Sequence, residues 1–224
     1  MYSLYNIVIC IGTGVIIISL VLALNICNKK YSPSMINSFF ICPLIALLLS
    51  ANTITHDFFL HYNNRIHFTI QNILFLFDLI YWTSFFLKLF NAKVYSKRII
   101  FIILITLLIA SLTFFVNDLN RPNLYFSAIF NICKCLFCIL FYHKLFKIIP
   151  NKIITNEPSF WFVTGLFFYS CISIPFYTLH NYIKEIFQSS ISLDIFAISN
   201  ILIIVMHIFF IKAYLCIVQQ RKEL

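Results

Sequence analysis

The chain has 224 residues, 62% of them hydrophobic and only 10% charged, with a formal net charge of +9. Soluble domains are roughly half apolar and a quarter charged, so no soluble surface can be built from this sequence and it reads as an integral membrane protein. The basic excess in a polytopic chain reports orientation, and with no basic tail or basic–aromatic patch set apart from the spans, nucleic acid is not an expected partner. The 27 Phe and 3 Gly fit an A/T-rich genome and carry little functional meaning.

A helix needs about 20 apolar residues to cross the hydrocarbon core, and seven such stretches occur, at about 4–26, 36–55, 68–90, 98–116, 124–146, 159–179 and 193–217. The first has no basic residues before it and two, Lys29 and Lys30, after it, which suits an uncleaved anchor better than a secretory signal. Polar breaks follow at Asn28 to Pro33, His61 to Arg65, Asn91 to Arg98, Asn117 to Pro122 and Pro150 to Lys152. The sixth span opens after Glu157-Pro158, an acidic residue and a proline at a helix start. Little sequence remains outside the spans, so the expected architecture is an all-α, seven-transmembrane helix bundle forming a single domain over 1–224.

Positive charge follows spans one, three, five and seven: Lys29 and Lys30; Lys93, Lys97 and Arg98; Lys144, Lys147 and Lys152; Arg221 and Lys222. The alternate connections hold one basic residue each, Arg65, Arg121 and Lys184. The asymmetry places the N-terminus outside and the C-terminus in the cytoplasm, and the expected location is a bacterial inner membrane.

Within this frame span three runs inward, and Asp78 lies about ten residues down, ~15 Å at the helical rise, near the bilayer centre. A carboxylate there costs at least ~2.5 kcal/mol on insertion scales. Span five also runs inward and places Lys134 at the same depth, so an Asp78–Lys134 ion pair between the two spans is expected. Gln71, Leu74, Asp78 and Trp82 share one stripe of span three, and Asn131, Lys134, Cys135 and Cys138 share one of span five. Span seven adds Asn200 and His207. Polar side chains inside a span face the bundle or a wet cavity, so Gln71, Asn72, Asp78, Asn131, Lys134, Asn200 and His207 are candidates for one interior polar cluster. That cluster either binds a ligand or moves protons, or it only sets helix register.

A second concentration of chemistry lies between spans two and three, where His56, Asp57, His61 and His67 are candidate metal ligands, although their spacing matches no standard site. The eight cysteines lie mostly in apolar runs and read as small hydrophobic fillers, not disulfide partners. Gly12, Gly14 and Gly165 are read as points of close helix approach, and Pro43 and Pro175 as kinks. No cofactor is expected, and no catalytic constellation stands out.

Familiar seven-helix classes do not fit. The only lysine in span seven is Lys212, too near its end for a retinal Schiff base; the Pro-Gln pair of sugar transporters is absent; and the histidines lack the spacing of membrane zinc hydrolases. The segment Pro158 to Tyr169, the acidic residue in span three and the Asn-containing last helix from Asn200 to Leu224 resemble short seven-helix membrane proteins common in Bacteroidetes. Members of that group are often encoded beside histidine kinases or response regulators, which implies sensing or signal relay through a cytoplasmic partner. Three functions follow in order: a receptor-like or sensor-like module, a small transporter or proton-coupled permease with Asp78 titrating, and an intramembrane lipid enzyme. The bilayer, a cytoplasmic histidine kinase or other signalling protein, and a second copy of the chain are the candidate partners.

Overall fold

A computed structural model describes residues 2–27, 41–54, 64–90, 101, 105, 124–148, 154–187 and 191–222. Among them every residue except Glu157 is helical. The elements are α1 (Tyr2–Cys27), α2 (Ile41–Ile54), α3 (Asn64–Phe90), α4 (Leu124–Ile148), a 3-10 turn (Ile154–Asn156), α5 (Pro158–Phe187) and α6 (Ile191–Lys222). They correspond to the expected spans one, two, three, five, six and seven. The fourth, 98–116, lies outside the described residues apart from Phe101 and Ile105, both helical. Among the described residues, five helices contain segments long and apolar enough to cross a membrane, and Ile41–Asn52 forms a shorter apolar one.

α5 and α6 outlast the apolar stretches read from the sequence, because intrahelical hydrogen bonds continue wherever propensity permits and do not stop at a change in polarity. The start of α5 is sharper. Pro158 occupies its first position, where a missing N–H costs nothing, and the Phe160 amide bonds back to the Glu157 carbonyl at 3.0 Å. Trp161 Nε1 donates to the Thr155 carbonyl and Gln220 Nε2 to the Asn156 carbonyl, each at 2.7 Å. The turn before α5 is thereby fastened to the end of α6.

Among the described residues the principal helix contacts follow chain order, α1 on α2 through α5 on α6, and α6 closes on α1. Backbones approach most extensively along α4–α5, α5–α6 and α6–α1, and least along α3–α4. Gly165 explains one close seam: a Cβ there would lie 2.8 Å from Phe209 Cβ and 3.0 Å from the Met206 carbonyl oxygen. The other two glycines correct the expectation. A Cβ on Gly12 would make ordinary contact with Ile204, and one on Gly14 would meet nothing within 4 Å.

α3 brings a row of large aromatic side chains into the centre of the core. Trp82, Phe85, Phe86 and Phe90 are almost fully buried. Their rings reach three other helices, with Phe86 5.3 Å from Phe137 of α4, Phe85 6.2 Å from Phe162 of α5 and Trp82 6.1 Å from Phe210 of α6. Phe162 and Phe210 stack at 4.4 Å. Lipid removes the hydrophobic drive between helices, so van der Waals packing and polar contacts hold such an assembly. Interlocked rings contribute about 0.5–1.5 kcal/mol per pair beyond their area. Isoleucines of α1 such as Ile7, Ile11 and Ile18 point outward, as expected of a face meant for acyl chains.

Candidate functional site

The two charges of equal depth meet. Lys134 Nζ of α4 donates to Asp78 Oδ2 of α3 at 2.8 Å, with the lysine side chain 5% exposed and the aspartate 15%. A buried ion demands a partner, and the demand explains why α3 and α4 are bridged here. Among the described residues the ammonium has no second hydrogen-bond acceptor and is enclosed by aromatic faces. Phe130 lies one turn away on its own helix at 4.0 Å, with Tyr169 of α5 at 5.8 Å and Trp82 of α3 at 5.9 Å. The negative faces of these rings attract a cation most strongly where water is excluded.

Tyr169 extends the site along α5, its hydroxyl 3.5 Å from that of Tyr177 two turns on. The Tyr169 ring thus borders the ion pair, while the two tyrosine hydroxyls lie near each other along α5. Trp82 stood in the stripe read from sequence. Phe130 and the two tyrosines did not, because aromatic residues are so frequent here that none carries a signal.

The other members of the expected cluster divide. Asn72 is buried on α3, and its Oδ1 has no hydrogen-bond partner among the described residues; Gln71 beside it is half-buried. Asn131 is buried one turn before Lys134 and turns its amide to its own helix, donating to the Ser127 carbonyl at 2.9 Å. Its Oδ1 also lacks a partner among the described residues. His207 is drawn to α1, where its Nδ1 lies 3.2 Å from Ser19 Oγ with both residues fully buried. Asn200 is partly buried two turns before it. The single cluster therefore resolves into an Asp78–Lys134 centre and a separate His207–Ser19 pair. Ser19, in the middle of an apolar helix, gave no sequence signal.

Of the candidate metal ligands, His56, Asp57 and His61 lie outside the described residues. His67 is buried in α3, and its carbonyl accepts from Asn52 Nδ2 of α2 at 3.4 Å. Among the described residues no three His, Cys, Asp or Glu side chains gather as a metal would require. Lys144, read only as an orientation charge, has a second role. Its Nζ donates to the Leu89 and Phe90 carbonyls, closing the C-terminus of α3, where cations are favoured. Comparison with protein-family models, curated proteins and solved structures finds no match to this chain.

Proposed function

We propose that the chain is a seven-helix sensor-like protein of a bacterial inner membrane, with its N-terminus outside and its C-terminus in the cytoplasm. The observation that carries this reading is the Asp78–Lys134 bond at 2.8 Å, which joins α3 to α4, two helices whose backbones approach less extensively than those of the other chain neighbours. A buried ion pair adds little net stability over a well-packed apolar contact, because desolvation offsets the Coulomb attraction. It is bistable in a way that packing is not: a ligand that brings its own charge or hydrogen bonds competes for either partner, and the seam then loosens. The unpartnered Oδ1 atoms of Asn72 and Asn131, on the same two helices, are acceptors for the donor groups of such a small polar ligand. The movement would pass to a separate cytoplasmic histidine kinase or similar signalling protein, in keeping with the resemblance to the Bacteroidetes group.

One observation favours a second reading. The Tyr169 ring lies beside Lys134 and its hydroxyl is 3.5 Å from that of Tyr177, and in this orientation α5 runs outward from the ion pair. A proton-coupled permease would pass protons along this side of α5, with Asp78 taking up and releasing the proton.

Purified protein in liposomes with an internal pH dye separates the two. The sensor reading expects proton entry no faster than in protein-free liposomes, and a histidine kinase or response regulator that co-purifies from the native membrane. Proton flux abolished by Asp78→Asn would replace it with the permease, and the absence of any co-purifying signalling protein would remove it.

A further inference from the structure

Cys135 of α4 and Cys171 of α5 bring their sulfurs within 3.3 Å of each other. The contact joins residues 36 positions apart on two closely packed helices. Cys171 is exposed on the outer surface of the bundle, whereas Cys135 is buried behind it. By helical rise Cys135 lies about 17 Å into α4 and Cys171 about 20 Å into α5, so both sit at the depth of acyl chains rather than of head groups. Thiols used merely as apolar filler need not touch.

The backbone at Cys171 is also less tied than elsewhere in α5. Pro175 is inside the helix and has no N–H to donate to the carbonyl four residues before it, which is that of Cys171. Closing the sulfurs from 3.3 Å to the ~2.05 Å of a disulfide therefore asks for a shift where one intrahelical bond is already missing.

We propose that Cys135 and Cys171 are an oxidisable dithiol whose co-substrate is a lipid hydroperoxide arriving through the acyl-chain region. The exposed Cys171 sulfur attacks the terminal peroxide oxygen and the O–O bond breaks. A sulfenic acid forms, and the thiol proton goes to the departing alkoxide, which leaves as the lipid alcohol. Cys135 then attacks the sulfenic sulfur, the S–S bond forms, and its proton leaves with the hydroxyl as water. Two thiols and one hydroperoxide become one disulfide, one alcohol and one water; the two electrons lost by sulfur reduce the peroxide. The bond staples α4 to α5 beside Lys134 and two residues from Tyr169, so oxidation holds one wall of the ion-pair site in place. None of this depends on what that site recognises.

The test uses the full chain in nanodiscs, exposed either to a phosphatidylcholine hydroperoxide or to the same lipid unoxidised. Remaining thiols are then alkylated, and the protein is cut with trypsin, which has Lys144, Lys147 and Lys152 between the two cysteines. The expected result is the loss of two alkylatable thiols and a linked pair of peptides containing Cys135 and Cys171, separated by reductant. The link should persist in Cys138→Ser and vanish in Cys135→Ser and Cys171→Ser. The tryptic peptide 135–144 also contains Cys138, so fragment sequencing of the linked peptides from the unmutated protein assigns the bond, and this assignment stands even where a variant fails to fold. Full alkylation after hydroperoxide, a sulfenic acid at Cys171 that never resolves, or a disulfide joining other cysteines would each overturn the proposal.

Discussion

Lys134 Nζ stands 2.8 Å from Asp78 Oδ2 with its ammonium 4.0 Å from the ring of Phe130, so one cation is shared between a carboxylate and an aromatic face. Removing one member leaves the other largely buried without its partner. Asp78→Asn and Lys134→Met are each expected to destabilise the protein by about 3–5 kcal/mol, with much of the loss restored in the double variant. A thermal-melt double-mutant cycle on purified protein measures this. A variant stabilised by losing Asp78 alone would show that the charge is held against stability, and would make it the first residue to test in ligand binding.

Gly165 is the tightest glycine. Because the opposing atoms belong to Phe209 Cβ and a backbone carbonyl, neither can rotate aside, and Gly165→Ala should cost about 1–3 kcal/mol by overpacking. Gly14→Ala, which meets nothing within 4 Å, should change stability by no more than about 0.5 kcal/mol. Melting temperatures of the two variants side by side give the comparison, and equal effects would show that α5 and α6 do not meet at this distance.

Lys144 holds the Leu89 and Phe90 carbonyls at the end of α3. Lys144→Met should cost about 1 kcal/mol and raise amide hydrogen exchange in the last turn of α3, with α1 unaffected. Loss of stability with no local change in exchange would mean that the charge acts elsewhere.

The His207 ring depends on a helix far from it in sequence. Ser19→Ala removes the hydroxyl 3.2 Å from Nδ1 and leaves a buried ring nitrogen unsatisfied, an expected loss of about 1–3 kcal/mol. Ser19→Thr, which restores a hydroxyl, should recover part of it. Unchanged melting in Ser19→Ala would show that the contact contributes nothing.

The shared depth of Asp78 and Lys134 was legible from sequence because helical rise is constant, so counting residues from two span starts compares heights directly. Rotation was harder to read. Asn131 and His207 carry the right periodicity for an interior face, yet Asn131 is engaged by its own helix and His207 by α1. Periodicity specifies a face of one helix and says nothing about which neighbour that face meets. The reading of the cysteines as fillers missed the Cys135–Cys171 contact for the same reason.

Composition, the length of the apolar stretches and the placement of Pro158 were enough, without coordinates, to imply long apolar helices and the start of α5. These follow from local physics: backbone polar groups in hydrocarbon must be satisfied within the segment, and a proline suits the first helical position. Only the tertiary arrangement decided that α6 closes on α1, that aromatic rings from three helices surround one ammonium, and that Gly165 rather than Gly14 marks a close approach. Each of these depends on how whole helices rotate and settle against one another, and that balance is summed over many side chains and written in no single segment.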